Sequence, residues 1–103
     1  VVNTTLGVED PLPAGVSFAI TPNPARASRV TFALPSRDRV RITVYDLAGR
    51  QRAVLAEGEF PAGTHTREWD GRDLDGNSVG SGVYFYKLQI SGQTYNRRGV
   101  LLN

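Results

Sequence analysis

The chain contains no cysteine and no methionine, a single histidine and a single tryptophan. Without cysteine it can hold no disulfide, no thiolate metal site and no thiol nucleophile. An oxidising compartment tolerates such a chain but is not required by it. The lone histidine, His65, lies between Thr64 and Thr66 in a strand-like stretch. It reads as a solvated or hydrogen-bonded side chain rather than a general base. No nucleophile elbow, phosphate loop or helical pair of metal ligands occurs, so catalysis is not expected. No apolar run approaches the roughly 18 residues of a membrane-spanning helix. The chain opens at Val1, without an initiator methionine or a charged segment leading into an apolar one. It is therefore expected to be a piece of a longer protein and to carry no secretory leader of its own.

Lysine is scarce as well. Lys87 stands alone, so eleven of the twelve basic residues are arginine. Arginine keeps its charge and makes planar bidentate contacts, so this bias fits heat adaptation, anion recognition or simply a GC-rich coding sequence. The net charge of +2 is too small to point to nucleic acid.

The 103 residues are 40% hydrophobic and 21% charged, which describes one soluble globular domain. A chain of this size buries roughly 60–70% of its unfolded surface, enough for one core and little more. Residues 1–15 contain Gly7, Pro11, Pro13 and Gly15 without periodicity and read as a linker remnant. Residues 16–103 read as a single domain of short strands.

The expected strands are Val16 to Ile20, Arg29 to Leu34, Arg39 to Leu47, Gln51 to Ala56, Thr64 to Trp69, Val83 to Ile90 and Gln93 to Leu102. Pro22, Asn23 and Pro24 punctuate the first two, and Pro35 to Asp38 forms a turn. In the third, Val40, Ile42 and Val44 face one way and Arg39, Arg41 and Thr43 the other, the signature of a half-buried antiparallel strand. Asp46 to Gly49 and Pro61 to Gly63 read as turns, the latter of type I. Asp70 to Gly82 reads as an extended loop with an Asp75-Gly76 hairpin signal inside it. Tyr84, Tyr86, Leu88 and Ile90 share a face, with the tyrosine hydroxyls expected to reach the rim. Ser91-Gly92 is a two-residue hairpin loop. About seven strands without helical periodicity predict an all-β, immunoglobulin-like antiparallel sandwich, with a small barrel as the alternative.

Three surface features invite a ligand. Asp70, Asp73, Asp75 and Asn77 offer oxygens, but an EF-hand register puts Gly71 at position one and Gly82 at position twelve, where a bidentate Glu is needed. Asp73, Asp75 and Asn77 remain weak calcium candidates, and no other cofactor is implied. Trp69, Tyr45, Tyr84, Tyr86 and Tyr95 could build a platform for sugar rings, although core packing explains the alternating tyrosines better. Arg37, Arg39 and Arg41 line alternate positions, but Asp38, Glu57 and Glu59 lie among them, so a mixed solvated surface is the default.

Four motifs then occur in a family-like order: Thr21-Pro22-Asn23-Pro24-Ala25, Val44 to Arg50 (VYDLAGR), Pro61 to Asp73 (PAGTHTREWDGRD) and Ser81 to Leu88 (SGVYFYKL). With them, residues 21–103 resemble C-terminal domains of secreted bacterial proteins related to the immunoglobulin-like domain of the flagellar hook-capping protein. The resemblance rests on Pro22, Asn23, Pro24, Asp46, Gly49 and Arg50, and further on Gly63, Trp69, Asp70, Gly71, Gly82 and Tyr84. All of these read as turn and strand chemistry.

Two branches of that family lead to different expectations. The type IX secretion sorting domain is similar in its PNPA segment, DLAGR turn and short final strand. It implies a non-catalytic secretion or cell-surface attachment module exported through the outer membrane of a Gram-negative-type bacterium. Its partners would be the secretion machinery, a cell-surface component and N-terminal passenger domains of the same polypeptide, with no nucleic acid, no membrane span and a monomeric state. Arg97, Arg98, Gly99, Val100, Leu101 and Leu102 would then be its recognition residues. The hook-cap scaffold branch shares the longer WDGRD loop. A hook-cap-like extracellular scaffold and a carbohydrate-binding module of a polysaccharide-degrading enzyme are the alternatives to sorting.

Overall fold

Alternating side chains build a two-sheet sandwich, seen in a computed structural model that describes residues 11–23 and 27–101. Seven strands lie among these residues: β1 (Ser17–Asn23), β2 (Ala27–Leu34), β3 (Asp38–Tyr45), β4 (Gln51–Phe60), β5 (Gly63–Trp69), β6 (Gly82–Ile90) and β7 (Gln93–Leu101). All pairings are antiparallel, in the orders β1-β2-β5 and β4-β3-β6-β7. The immunoglobulin-like sandwich predicted from the alternation is the architecture observed.

The core lies between the inner faces. Val30, Phe32 and Leu34 of β2 meet Val40, Ile42 and Val44 of β3, and Tyr84, Tyr86, Leu88 and Ile90 line β6. Each large apolar side chain so buried contributes about 1.5–3 kcal/mol. Phe32, Phe60 and His65 stack together at one end of the sandwich. His65 Nε2 lies 2.8 Å from the Pro61 carbonyl, which accepts its proton. The other end is closed by Trp69 and Val79, both buried.

Several boundaries move. Strand β1 runs on through Pro22 and Asn23, because Pro22 pairs with Ser28 and Asn23 with Ala27 at an edge where a missing N–H does no harm. Their neighbour Pro24 falls outside the described residues. Strand β3 stops at Tyr45, since Asp46 turns the chain. Strand β4 extends to Phe60, held by the pairings Glu57 with Arg41 and Glu59 with Arg39. Arg37 precedes β3 and pairs with Glu59 at 3.2 Å rather than extending a strand face.

Two burial assignments differ as well. Thr43 points outward, yet it is fully buried. Its cross-strand neighbour Lys87 lies over the Tyr45 ring at 4.7 Å, and such long stems cover the outer face beneath them. The Tyr86 hydroxyl stays inside rather than reaching the rim, because Ser28 of the facing sheet meets it at 2.6 Å.

Strand β7 is an edge of its sheet, and its close approach to β1 depends on one glycine. A Cβ at Gly99 would lie 2.7 Å from Ile20 Cγ2 and 2.8 Å from Tyr86 Cε1, inside van der Waals contact. No other residue fits there without displacement of the core.

Candidate functional site

The end of the sandwich that carries the β3–β4 turn and the β5–β6 loop gathers most of the ordered polar chemistry. Asp46 organises the first. Its Oδ1 accepts the amides of Ala48 and Arg50, both at 2.9 Å. Its Oδ2 accepts Arg50 Nε at 3.3 Å and Arg52 Nε at 3.0 Å. The Gly49 amide closes on the Asp46 carbonyl at 3.0 Å, with Gly49 at φ +82°, a left-handed conformation that glycine adopts freely. The Arg50 amide is the main cause of a carboxyl pKa below the ordinary value. Burial opposes it, and Arg52 and the Ala48 amide add to it.

The second turn repeats this arrangement. Asp73 Oδ1 accepts the amides of Asp75 at 2.9 Å and Asn77 at 3.0 Å, and the Gly76 amide closes on the Asp73 carbonyl at 3.0 Å. Gly76 takes φ +86°. Both turns read Asp-Leu-X-Gly, at residues 46–49 and 73–76. The duplication is present in the sequence, where the first segment reads as a turn and the second contains a hairpin signal. Arg52 joins them, 3.0 Å from Asp46 and 3.8 Å from Asp73.

The rest of the loop is tied down by Trp69 and Tyr84. Trp69 Nε1 donates to the Arg72 carbonyl at 2.9 Å, and its ring meets Tyr84 edge-on at 5.0 Å. Asp70 accepts the Arg72 amide, and the Val79 amide reaches the Gly71 carbonyl at 2.8 Å. Tyr84 donates its hydroxyl to the Gly80 carbonyl at 2.6 Å. Burial raises the pKa of both Tyr84 and Tyr86. Gly82 and Gly63 open strands β6 and β5.

This geometry leaves the proposed ligands without a site. The Asp73 oxygens are spent on two amides and a guanidinium, and Asp75 and Asn77 meet it through their amides rather than through side-chain oxygens. Among the described residues no cluster of three His, Cys, Asp or Glu converges on a cation position. Trp69 is buried and offers no face to a sugar ring.

The terminal recognition residues are divided by the strand pleat. Leu101 is in the core and Gly99 faces Ile20 and Tyr86, whereas Val100 is exposed. Arg97 pairs across with inward-facing Tyr86, and Arg98 with outward-facing Phe85. Leu102 falls outside the described residues. Ile20, Val83, Arg98, Gly99 and Val100 border a shallow cleft of about 380 Å³ at this edge.

Comparison with known proteins narrows the choice between branches. Residues 18–94 match the family model described as FlgD Ig-like domain. Two curated relatives, the basal-body rod modification protein FlgD of Salmonella typhimurium and that of Salmonella typhi, are each 45% identical over 54 residues. That segment is 52% of this chain and 23% of theirs, so the chain spans under a quarter of their length. The crystal structure of FlgD from P. aeruginosa matches with a TM-score of 0.58 and 31% identity, over 73% of this chain and 60% of that one.

These matches correct the functional expectation. The expected sorting function, with its outer-membrane secretion machinery and cell-surface partner, and the carbohydrate-binding alternative are overturned by these matches. The relatives are instead flagellar rod modification proteins. The motifs misled because the PNPA, DLAGR and GVYFYKL segments are strand and turn chemistry common to both branches. By its match over residues 18–94, the chain belongs to the FlgD Ig-like domain family.

Proposed function

We propose that this domain is a non-catalytic scaffold module of a larger, exported protein that acts in flagellar hook and rod assembly. The observation that carries this reading is the family match across 18–94, which takes in both Asp-Leu-X-Gly turns and the loop between Trp69 and Gly82. The site's chemistry agrees with a scaffold. Its carboxylates hold backbone amides and arginines, and the Tyr84 hydroxyl is donated to the Gly80 carbonyl. Such a site presents shape rather than a reactive group.

A chimaera tests it. Residues 16–103 replace the matching domain in the Salmonella typhimurium relative, in cells that lack their own copy. Hooks visible by electron microscopy are the expected result. A chimaera that is folded and exported but leaves the cells without hooks overturns the reading.

A further inference from the structure

Charge is spread unevenly over the outer face of the β4-β3-β6-β7 sheet. Strands β6 and β7 contain no Asp or Glu, and none follows Asp75 in the sequence. Their outward positions carry Lys87 and Arg98, with neutral Gln89, Thr94 and Asn96 beside them. Strand β3 adds Arg39 and Arg41. The carboxylates of this face, Glu57 and Glu59, lie at its margin on β4. Glu59 is held by Arg37 at 3.2 Å, so exposed Arg39 meets no carboxylate among the described residues. Lys87 contacts the Tyr45 ring and likewise no carboxylate among them.

Two buried polar atoms on the same face of β3 also lack a partner. Arg41 Nε is 4.0 Å from Glu57 Oε2, beyond hydrogen-bond reach. Thr43 is fully buried, and neither its Oγ1 nor Arg41 Nε has a hydrogen bond among the described residues. Such orphans cost free energy until an acceptor arrives. A guanidinium nitrogen can only donate, so it needs an acceptor, and a carboxylate is the strongest. A cleft of about 310 Å³ opens beside them, bordered by Arg39, Arg41, Glu57, Gln89 and Ser91. Asp38, also on its border, has both oxygens engaged, by the Arg39 amide at 2.7 Å and the Ser91 hydroxyl at 2.5 Å.

Spacing and margin select the occupant. Arg39, Arg41 and Thr43 follow one another at about 6.8 Å, the two-residue repeat of a strand. An extended protein segment with carboxylates at alternate positions has the same repeat. A nucleic acid carries a phosphate on every nucleotide and cannot pass over Glu57 and Glu59 without repulsion. The Tyr45 ring, which could stack a base, already carries Lys87 at 4.7 Å. For a bilayer the face offers Val54 and Val100, set at opposite margins on β4 and β7.

We propose that this face docks an extended acidic segment of another protein, its carboxylates meeting Arg39, Arg41 and the Thr43–Lys87 pair. The mixed solvated surface expected from the sequence is thus confined to the β4 margin. The proposal goes beyond the scaffold reading and does not depend on it. Contacts of this kind are screened by salt, so the complex weakens as ionic strength rises.

A synthetic peptide of alternating Glu and Thr is titrated into the isotope-labelled full chain, and amide shifts are followed by NMR. Amides of β3 and β6 are expected to move, and those of β1, β2 and β5 to stay. Arg39→Gln and Lys87→Gln are each expected to weaken binding about fivefold, the equivalent of about 1 kcal/mol. Arg29→Gln removes the same charge from the opposite sheet and should change binding by less than about twofold in about 0.1 M salt. A peptide with Gln in place of Glu should not bind. Equal losses in all three variants, shifts confined to the opposite sheet, or equal binding of the Gln peptide overturns the proposal. So does a dissociation constant weaker than about 1 mM for the Glu peptide. Tighter binding of oligothymidylate than of the peptide also overturns it, because that assigns the face to nucleic acid.

Discussion

Ser28 and Tyr86 lie 58 positions apart in the chain and meet hydroxyl to hydroxyl at 2.6 Å between the two sheets, both buried. The bond is the polar pin of an otherwise apolar core. Removal of either hydroxyl strands the other without water. Tyr86→Phe and Ser28→Ala are each expected to cost about 1–3 kcal/mol in urea unfolding. The double variant should cost clearly less than the sum of the two, since the second change removes an already orphaned group. Strictly additive losses would mean that the hydroxyls do not depend on one another.

Burial raises the pKa of Tyr86, and of Tyr84, above the ordinary value of 10.0. The folded state thus favours the neutral phenol. Its stabilising effect is complete below the unfolded pKa and is lost as pH rises through the folded one. Urea midpoints should fall above about pH 10, and less steeply in Tyr86→Phe. An identical alkaline slope in the variant would count against Tyr86 as a source.

Asp46 works in the opposite direction. Its carboxyl titrates below 3.8 in the fold, chiefly because the Arg50 amide bonds to it. Its contribution is present above the unfolded pKa and is lost as pH falls through the folded one. Asp46→Asn is expected to lower stability at neutral pH and to flatten the acid limb of the stability curve. Acid unfolding that keeps its wild-type steepness would exclude Asp46 as its cause.

Gly99→Ala is expected to destabilise the domain by about 1–3 kcal/mol, because the added methyl overlaps Ile20 and Tyr86. Thermal melts should show partial recovery when Ile20→Ala is added, and none when Val100→Ala is added, since Val100 points outward. A neutral Gly99→Ala would show that β7 can move away from β1 at no cost.

Arg52 bridges the two Asp-Leu-X-Gly turns through Asp46 and Asp73. Arg52→Met should loosen the second turn more than the first, since Asp46 keeps Arg50. Hydrogen exchange at the Gly76 and Asn77 amides is expected to quicken, by the equivalent of about 1 kcal/mol or less. Unchanged protection there would make the bridge incidental.

Family branch was the point at which local patterns misled. The motifs carried both the hook-cap and the sorting resemblance, because each motif is a strand or turn that either kind of protein needs. The branch was decided by the extent of similarity across residues 18–94. The sequence marks Asp46 as opening a turn but Asp73 only as a weak calcium candidate in a loop, and their equivalence rests on the hydrogen bonds formed at both.

The sequence by itself determined what depends on neighbours along the chain. Period-two alternation marked Val40, Ile42 and Val44 and the Tyr84 to Ile90 face as core. Asp and Gly marked the turns, and the lack of cysteine and of a second histidine removed whole classes of chemistry. Tertiary structure decided what depends on partners far along it. Strand β6 joined β3, with Val40 opposite Ile90, because hydrogen bonds between strands distant in the chain are set by long-range register, which no local pattern records. The same pairing sets Lys87 across from Thr43, which is buried although it points outward. The scarcity of cysteine, histidine and lysine therefore says little about what this domain binds.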